Sequence, residues 1–341
     1  MTDDRAAAMR AFLDARGWGG VEPALLAADA SFRRYFRLTA GNGERAVLMD
    51  APPGREDVRP FRDLAEHLGH LGFSAPEILA DDETRGFLLL EDLGDATYTR
   101  LIREGADEAA LYRLATEVLI ALHSLPEARA VPEGLPPYDR ARFLDEAALF
   151  IDWYLPAVTG RNATPDARAD FFAAWDQVLP AVEAVPRSLV LRDYHVDNLM
   201  HLPGREGVAA CGLLDFQDGV AGPALYDLMS LLEDARRDVP REIVDRERAR
   251  YLAAFPALDR GAFDAAWAVL AAQRHTKVLG IFTRLCARDG KPGYLQHVPR
   301  LWRLLDNALN HPALDPVRRW LDAACPPERR GVPECPCPTS P

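Results

Sequence analysis

The stretch LRDYHVDNLM (residues 191–200), followed by LLDFQDG (residues 213–219), decides how the rest of the chain is read. Four residues separate Asp193 from Asn198, and Asp215 sits behind an apolar run. NLMHL (198–202) and VAACGLLDF (208–216) read as short extended segments, and PGREG (203–207) makes the turn between them. Such a hairpin returns Asp215 to the side of Asn198, while Asp193 faces Asn198 across a tight loop. Taken alone, Asp193 is an ordinary loop or capping aspartate. A carboxylate followed by an amide and a second carboxylate at this spacing also describes a base beside a divalent-cation site, because Mg2+ prefers oxygen ligands.

Working outward, the segment before this loop has two characters. Met9, Phe12 and Leu13 give a helical spacing over residues 5–16. SFRRYFRL (31–38) and RAVLMD (45–50) are strand-like runs around the turn AGNGE, and APEILAD (75–81) and GFLLLEDLG (86–94) form a second pair. Between the pairs, Val58, Phe61, Leu64, Ala65, Leu68 and Leu71 mark one face of a helix. Residues 1–93 are therefore expected as an N-terminal lobe with an antiparallel sheet. Residues 94–325 read as a mainly helical second lobe, with helices over 141–155, 166–183, 222–236, 241–254, 261–288 and 297–309. Residues 326–341 form a Pro-rich tail expected to be disordered; Cys325, Cys335 and Cys337 lie in or beside it and complete no standard metal set.

The chain has 341 residues, 48% of them apolar, and a formal charge of −12. That charge opposes nonspecific nucleic-acid binding, which depends on neutralising phosphates. There is no secretory apolar block and no run approaching the ~18 apolar residues a membrane span needs. A cytoplasmic monomer acting on a small molecule, with no nucleic-acid or membrane partner, is expected.

Phosphoryl transfer from a nucleotide needs positioning and charge neutralisation more than covalent help, and the opening constellation supplies the side chains for it. R-D-x-x-x-x-N followed by D-F resembles the catalytic and metal-binding loops of protein kinases and their aminoglycoside-phosphotransferase-like relatives. GPALYDL (222–228), with Asp227 opening a helix, is similar to the phosphotransferase branch in particular. The resemblance implies an α+β, two-lobed, protein-kinase-like fold that uses ATP and Mg2+. It makes Asp193 the catalytic base, Asn198 and Asp215 the magnesium ligands, and Leu90, Glu91 and Asp92 the hinge that holds adenine. DASFRRYFR (29–37), VLMDAPP (47–53), GFLLLEDLG, LDFQD (214–218) and the segment 273–300 together resemble the bacterial anomeric kinases of N-acetylmuramate and N-acetylglucosamine. These phosphorylate the sugar's anomeric hydroxyl in peptidoglycan recycling, so an amino sugar is the implied partner.

Two departures from that family pattern bear on the chemistry. The third-strand lysine that normally holds the phosphates is replaced by Met49; only two lysines occur, Lys277 and Lys291, both far downstream. DASFRRYFR also contains no glycine. Arg33, Arg34 or Arg37 is expected to supply the missing charge, as a bidentate phosphate partner. A third, smaller departure is Leu191, where many relatives carry histidine. For the acceptor, His195, Arg274, His275 and Lys277 are the candidate contacts; their basic character suits an anionic or neutral sugar, since polycationic aminoglycosides would call for carboxylates. Two alternatives remain at this level: a kinase of the same fold for an aminoglycoside, choline or homoserine, and a non-catalytic nucleotide-binding module.

Overall fold

In a computed structural model, residues 3–28 and 32–334 are described. The chain forms two compact units, one from residues 1–118 with 196–219 and one from 119–195 with 220–341. The boundary expected near residue 93 thus falls inside the first unit. The later hairpin belongs with it through backbone bonds to the segments before helix Tyr98–Arg103 and before strand Ile78–Asp82: His201 N donates to Ala96 O, and Leu213 N to Ser74 O.

The first unit is built on a five-stranded antiparallel sheet of order β1-β2-β3-β5-β4, from β1 (Ala24–Ala28), β2 (Arg34–Thr39), β3 (Arg45–Asp50), β4 (Ile78–Asp82) and β5 (Phe87–Glu91). β1, not anticipated, is an edge strand whose Leu25 is exposed, so its ALLAA run lacks the alternation that marks a half-buried strand. Side chains alternate across the sheet. Phe36, Leu38, Leu48, Phe87 and Leu89 pack on one face against Met9, Phe12 and Leu13 of helix α1 (Asp3–Asp14). Helix α2 (Arg59–His70) buries the predicted stripe of Phe61, Leu64, Ala65 and Leu68.

Four further strands form two pairs: β6 (Arg187–Val190) with β9 (Val220–Pro223) in the second unit, and β7 (Leu199–His201) with β8 (Cys211–Leu213) in the first. The second unit is organised around a 30-residue helix, Arg260–Asp289. Helix Arg140–Leu149 packs on it so closely that a Cβ added at Gly280 would stand 2.3 Å from the Leu149 carbonyl oxygen. Of the segment expected as a tail, residues 326–334 are tied to this unit. The guanidinium of Arg330 meets Asp306 at 2.8 Å and Asp322 at 2.5 Å, and the Tyr154 hydroxyl donates to Gly331 O at 2.7 Å. Residues 335–341, with Cys335 and Cys337, lie outside the described residues. Among the described residues no helix is long and apolar enough to cross a membrane.

Candidate active site

In the first unit, the sheet's second face and the β7–β8 hairpin enclose a cavity of about 470 Å³. Val47 and Leu90, which alternation places opposite the α1 face, line it together with Glu91, Asp92, Asn198 and Asp215. The hinge residues and both expected metal ligands therefore share one chamber. Asn198 Nδ2 donates to Asp215 Oδ2 at 3.3 Å, and Gln217 Nε2 to Asp215 Oδ1 at 2.8 Å. Asp215 has φ of 59°, in the left-handed region that non-glycine residues adopt at a cost of order 1 kcal/mol or more. Phe216 packs on Phe61 of α2 with ring centroids 4.9 Å apart, which holds that strained turn from the adjacent position.

Glu91 and Asp92 turn their carboxylates to protein partners. Arg205 pairs with Glu91, and Asp92 accepts from Gly94 N at 2.9 Å while facing Arg37 Nε at 2.8 Å. Leu90 thus brings apolar surface to the cavity, while the carboxylates beside it are spent on protein partners. The three candidate arginines separate accordingly. Arg37 is engaged by Asp92, Asp95 and Gly94 O, and Arg34 by the fully buried Asp50, which also accepts from Arg5. Arg33, 7% exposed, has its Nε 3.9 Å from Glu56 and lines a second cavity of about 800 Å³ in the same unit, shared with Glu56, Arg55, Gln217 and Asp218. Gln217 joins the two chambers, bonding Asp215 while lining the second. The start of α2 also borders this second cavity, and its first N–H, that of Arg59, donates to Asp57 Oδ1 at 3.0 Å. Met49 is completely buried opposite Tyr35, so the strand position without lysine is filled by core.

The second unit holds Asp193 on a loop shaped by Asp227. Buried in helix Leu225–Leu232, Asp227 accepts from Leu191 N at 2.6 Å and Arg192 N at 2.9 Å. Burial pushes its carboxyl up to about 7, against the pull of those two bonds. Arg192 is the chain's other non-glycine residue at positive φ among those described, 71°. Its guanidinium reaches Glu146 and lies over the Tyr138 ring at 5.7 Å. Two anchors therefore fix the backbone just before Asp193: one through the peptide groups, one through a side chain.

Three of the four basic residues expected at the acceptor have partners inside this unit. Lys277 Nζ meets Glu146 at 2.9 Å, and Gln273 Nε2 reaches the same carboxylate at 3.5 Å. His275 Nε2 lies 2.9 Å from Glu233, which also accepts from Trp267 Nε1 at 2.6 Å. The buried His195 has its Nε2 3.2 Å from Arg236 Nη1. Gln273, Lys277 and Gly280 of the long helix are packed against helix Arg140–Leu149. Sequence reasoning missed Glu146 and Glu233. A lone glutamate inside an apolar helix, as in FLDEAALF (143–150), was the one available signal for Glu146.

Residues 23–264 match the profile of the phosphotransferase enzyme family. The chain belongs to that family. It is accordingly an ATP-dependent phosphotransferase with a hydroxyl acceptor, on the expected two-lobed α+β kinase-like fold. Among characterised relatives, the N-acetylmuramate/N-acetylglucosamine kinase of Caulobacter vibrioides is 39% identical, over 97% of this chain and 99% of its own. The protein of the same name from Pseudomonas aeruginosa is 41% identical, over 86% and 87% of the two chains. Among solved structures of this phosphotransferase fold, an ADP-bound aminoglycoside phosphotransferase superposes with a TM-score of 0.58 over 90% of this chain and 99% of its own, at 16% identity.

Proposed function

We propose that this phosphotransferase transfers the γ-phosphoryl group of ATP to the anomeric hydroxyl of N-acetylmuramate and N-acetylglucosamine, giving the sugar 1-phosphates for peptidoglycan recycling in the cytoplasm. The observation that carries the acceptor is the end-to-end similarity to the Caulobacter vibrioides kinase of those two sugars, 39% identity over nearly all of both chains. The aminoglycoside relative is matched only at the level of fold.

Adenine would enter the 470 Å³ chamber and lie against Val47 and Leu90, cross-strand neighbours on one face, bonding the backbone at Leu90–Asp92. Asn198 and Asp215 would hold Mg2+, which neutralises charge on the phosphates when bound. The residues present fit that ion. Asp215 and Asn198 bring oxygen donors, and the buried Gln217 Oε1 beside them lacks a hydrogen-bond partner among the described residues. Mg2+ is commonly held by one or two protein oxygens plus phosphates and water. Arg33 would face the phosphates from the second chamber in place of the absent lysine; Arg34 and Arg37, engaged elsewhere, would act on the nucleotide only by shaping its pocket. Asp193 would orient the anomeric hydroxyl and accept its proton. A loose transition state asks little of the base, so placement is its larger contribution.

Incubation of the purified protein with ATP, Mg2+ and each sugar, followed by mass spectrometry, tests the reading. The expected product is one phosphate heavier and releases that phosphate in mild acid, as a glycosyl phosphate does and a 6-phosphate does not. An acid-stable product would exclude the anomeric position. Turnover confined to choline, homoserine or aminoglycosides would exclude the sugar.

A further inference from the structure

The long helix of the second unit carries three basic side chains close together, and the protein treats one of them differently. Lys277 has Glu146 and His275 has Glu233. Arg274, 4% exposed, makes no hydrogen bond or ion pair with any described residue, and its Nη1 is buried without an acceptor. A guanidinium stays protonated throughout the working pH range, so it cannot relieve burial by losing its charge, as a lysine or histidine does. Leaving such a charge unpaired inside a fold is among the more expensive arrangements a protein retains.

The surroundings show which end of the unit this charge serves. It acts on Asp227, the acid that holds the backbone of Leu191 and Arg192, and Asp227 also senses Asp193. It acts on His195 and His275 as well, and Arg236 stands beside His195. Asp227 already receives two backbone N–H groups, and Glu233 is taken by Trp267 and His275. The local balance around Arg274, next to the base loop, is therefore cationic, with Asp227 and Glu233 already occupied.

We infer that Arg274 is the docking point for a carboxylate on the acceptor, and hence the residue that separates an acidic amino sugar from its neutral counterpart. This rests on the amino-sugar reading above. N-acetylmuramate carries a lactyl carboxylate that N-acetylglucosamine lacks, and a planar guanidinium pairs with a carboxylate in a bidentate fork. The transferring phosphate is the other anion in the reaction, and the two sources give different kinetics.

The test compares wild type with Arg274→Met and Arg274→Lys on both sugars, with nucleotide KM measured in each case. For N-acetylmuramate, kcat/KM is expected to fall by about 30-fold or more in Arg274→Met, chiefly through KM, because truncating one partner of a buried charge pair is costly. For N-acetylglucosamine it should stay within about threefold, as that sugar has no group for the site. Arg274→Lys should recover part of the loss. Without ligand, Arg274→Met should melt at or above the wild-type temperature, since it removes an uncompensated charge. N-acetylmuramate should raise the melting temperature of wild type and not of the variant. Equal losses on both sugars, a raised nucleotide KM, or a variant that fails to fold would each overturn the inference. Wild type inert on both sugars would instead sink the amino-sugar reading.

Discussion

Asp193, Asp215 and Arg33 are each placed by neighbours that leave them little freedom. Asp215 holds a left-handed backbone while accepting from Asn198 and Gln217. Replacing its carboxylate with an amide keeps the shape and removes the charge that a divalent cation needs. Asp215→Asn is expected to lower kcat by about 10²-fold or more, with the melting temperature little changed; near-normal turnover would remove Asp215 from the metal site. The arginines give a sharper contrast. Arg33 faces Glu56 at 3.9 Å in the cavity that contains Asp218, whereas Arg37 is held at 2.8 Å by Asp92 and 2.7 Å by Asp95. Steady-state kinetics should show Arg33→Ala raising the ATP KM about 10-fold, as loss of a charge-assisted bond would. If Arg37→Ala raises it as much while Arg33→Ala leaves it unchanged, the phosphates lie elsewhere.

At the scale of elements, the contact between helix Arg140–Leu149 and the long helix carries two separate dependences. One is steric. A methyl group at Gly280 would overlap the Leu149 backbone, where no side-chain rotation gives relief. Gly280→Ala should destabilise the fold by about 1–3 kcal/mol despite its better helix propensity, as overpacking does; a stabilised variant in urea unfolding would mean the helices stand further apart. The other is electrostatic. Glu146 serves Lys277, Arg192, Gln273 and Tyr138 at once. Burial works to raise its carboxyl, and the two cations outweigh it and hold the group below the usual range. Glu146→Gln leaves both cations uncompensated and should cost about 3–5 kcal/mol. Adding Lys277→Met should restore part of that stability, and strict additivity of the two changes would deny the coupling.

Across the whole molecule, buried imidazoles set the response to acid. Burial pulls His123 down to about 3, and lowers His195 and His275 too, the last against the pull of Glu233. Each is neutral when folded and protonated when unfolded below about pH 6.5. Their contribution is therefore complete above that pH and is lost as pH falls toward the folded values. Asp227 runs the other way: raised to about 7, its contribution is complete below the ordinary carboxylate value and fades as pH rises through 7. The three lowered imidazoles outweigh the one raised carboxyl, so unfolding takes up protons near pH 6. Unfolding free energy should fall between pH 7.5 and 5.5, and a flat profile would show that these histidines are charged in the native state.

Residue identity and spacing alone determined the kinase-like character of the chain, because Asp193, Asn198 and Asp215 are close in sequence and their chemistry is carried by side-chain type. Period and turn chemistry likewise marked four of the five strands of the first sheet and most of the helices, since alternation and helical stripes are local properties. The edge strand β1 escaped because its adjacent Leu25 and Leu26 are both exposed, which leaves no alternation to read. Only the tertiary structure decided which basic groups are occupied. Arg33 and Arg37 look alike on one strand-like run, and Arg274, His275 and Lys277 look alike on one helix, until distant carboxylates settle on them differently: Asp92 and Asp95 on Arg37, Glu56 on Arg33, Glu233 on His275 and Glu146 on Lys277. An ion pair depends on which charge the fold carries to within a few ångströms, and nothing in the local sequence of either partner records that distance.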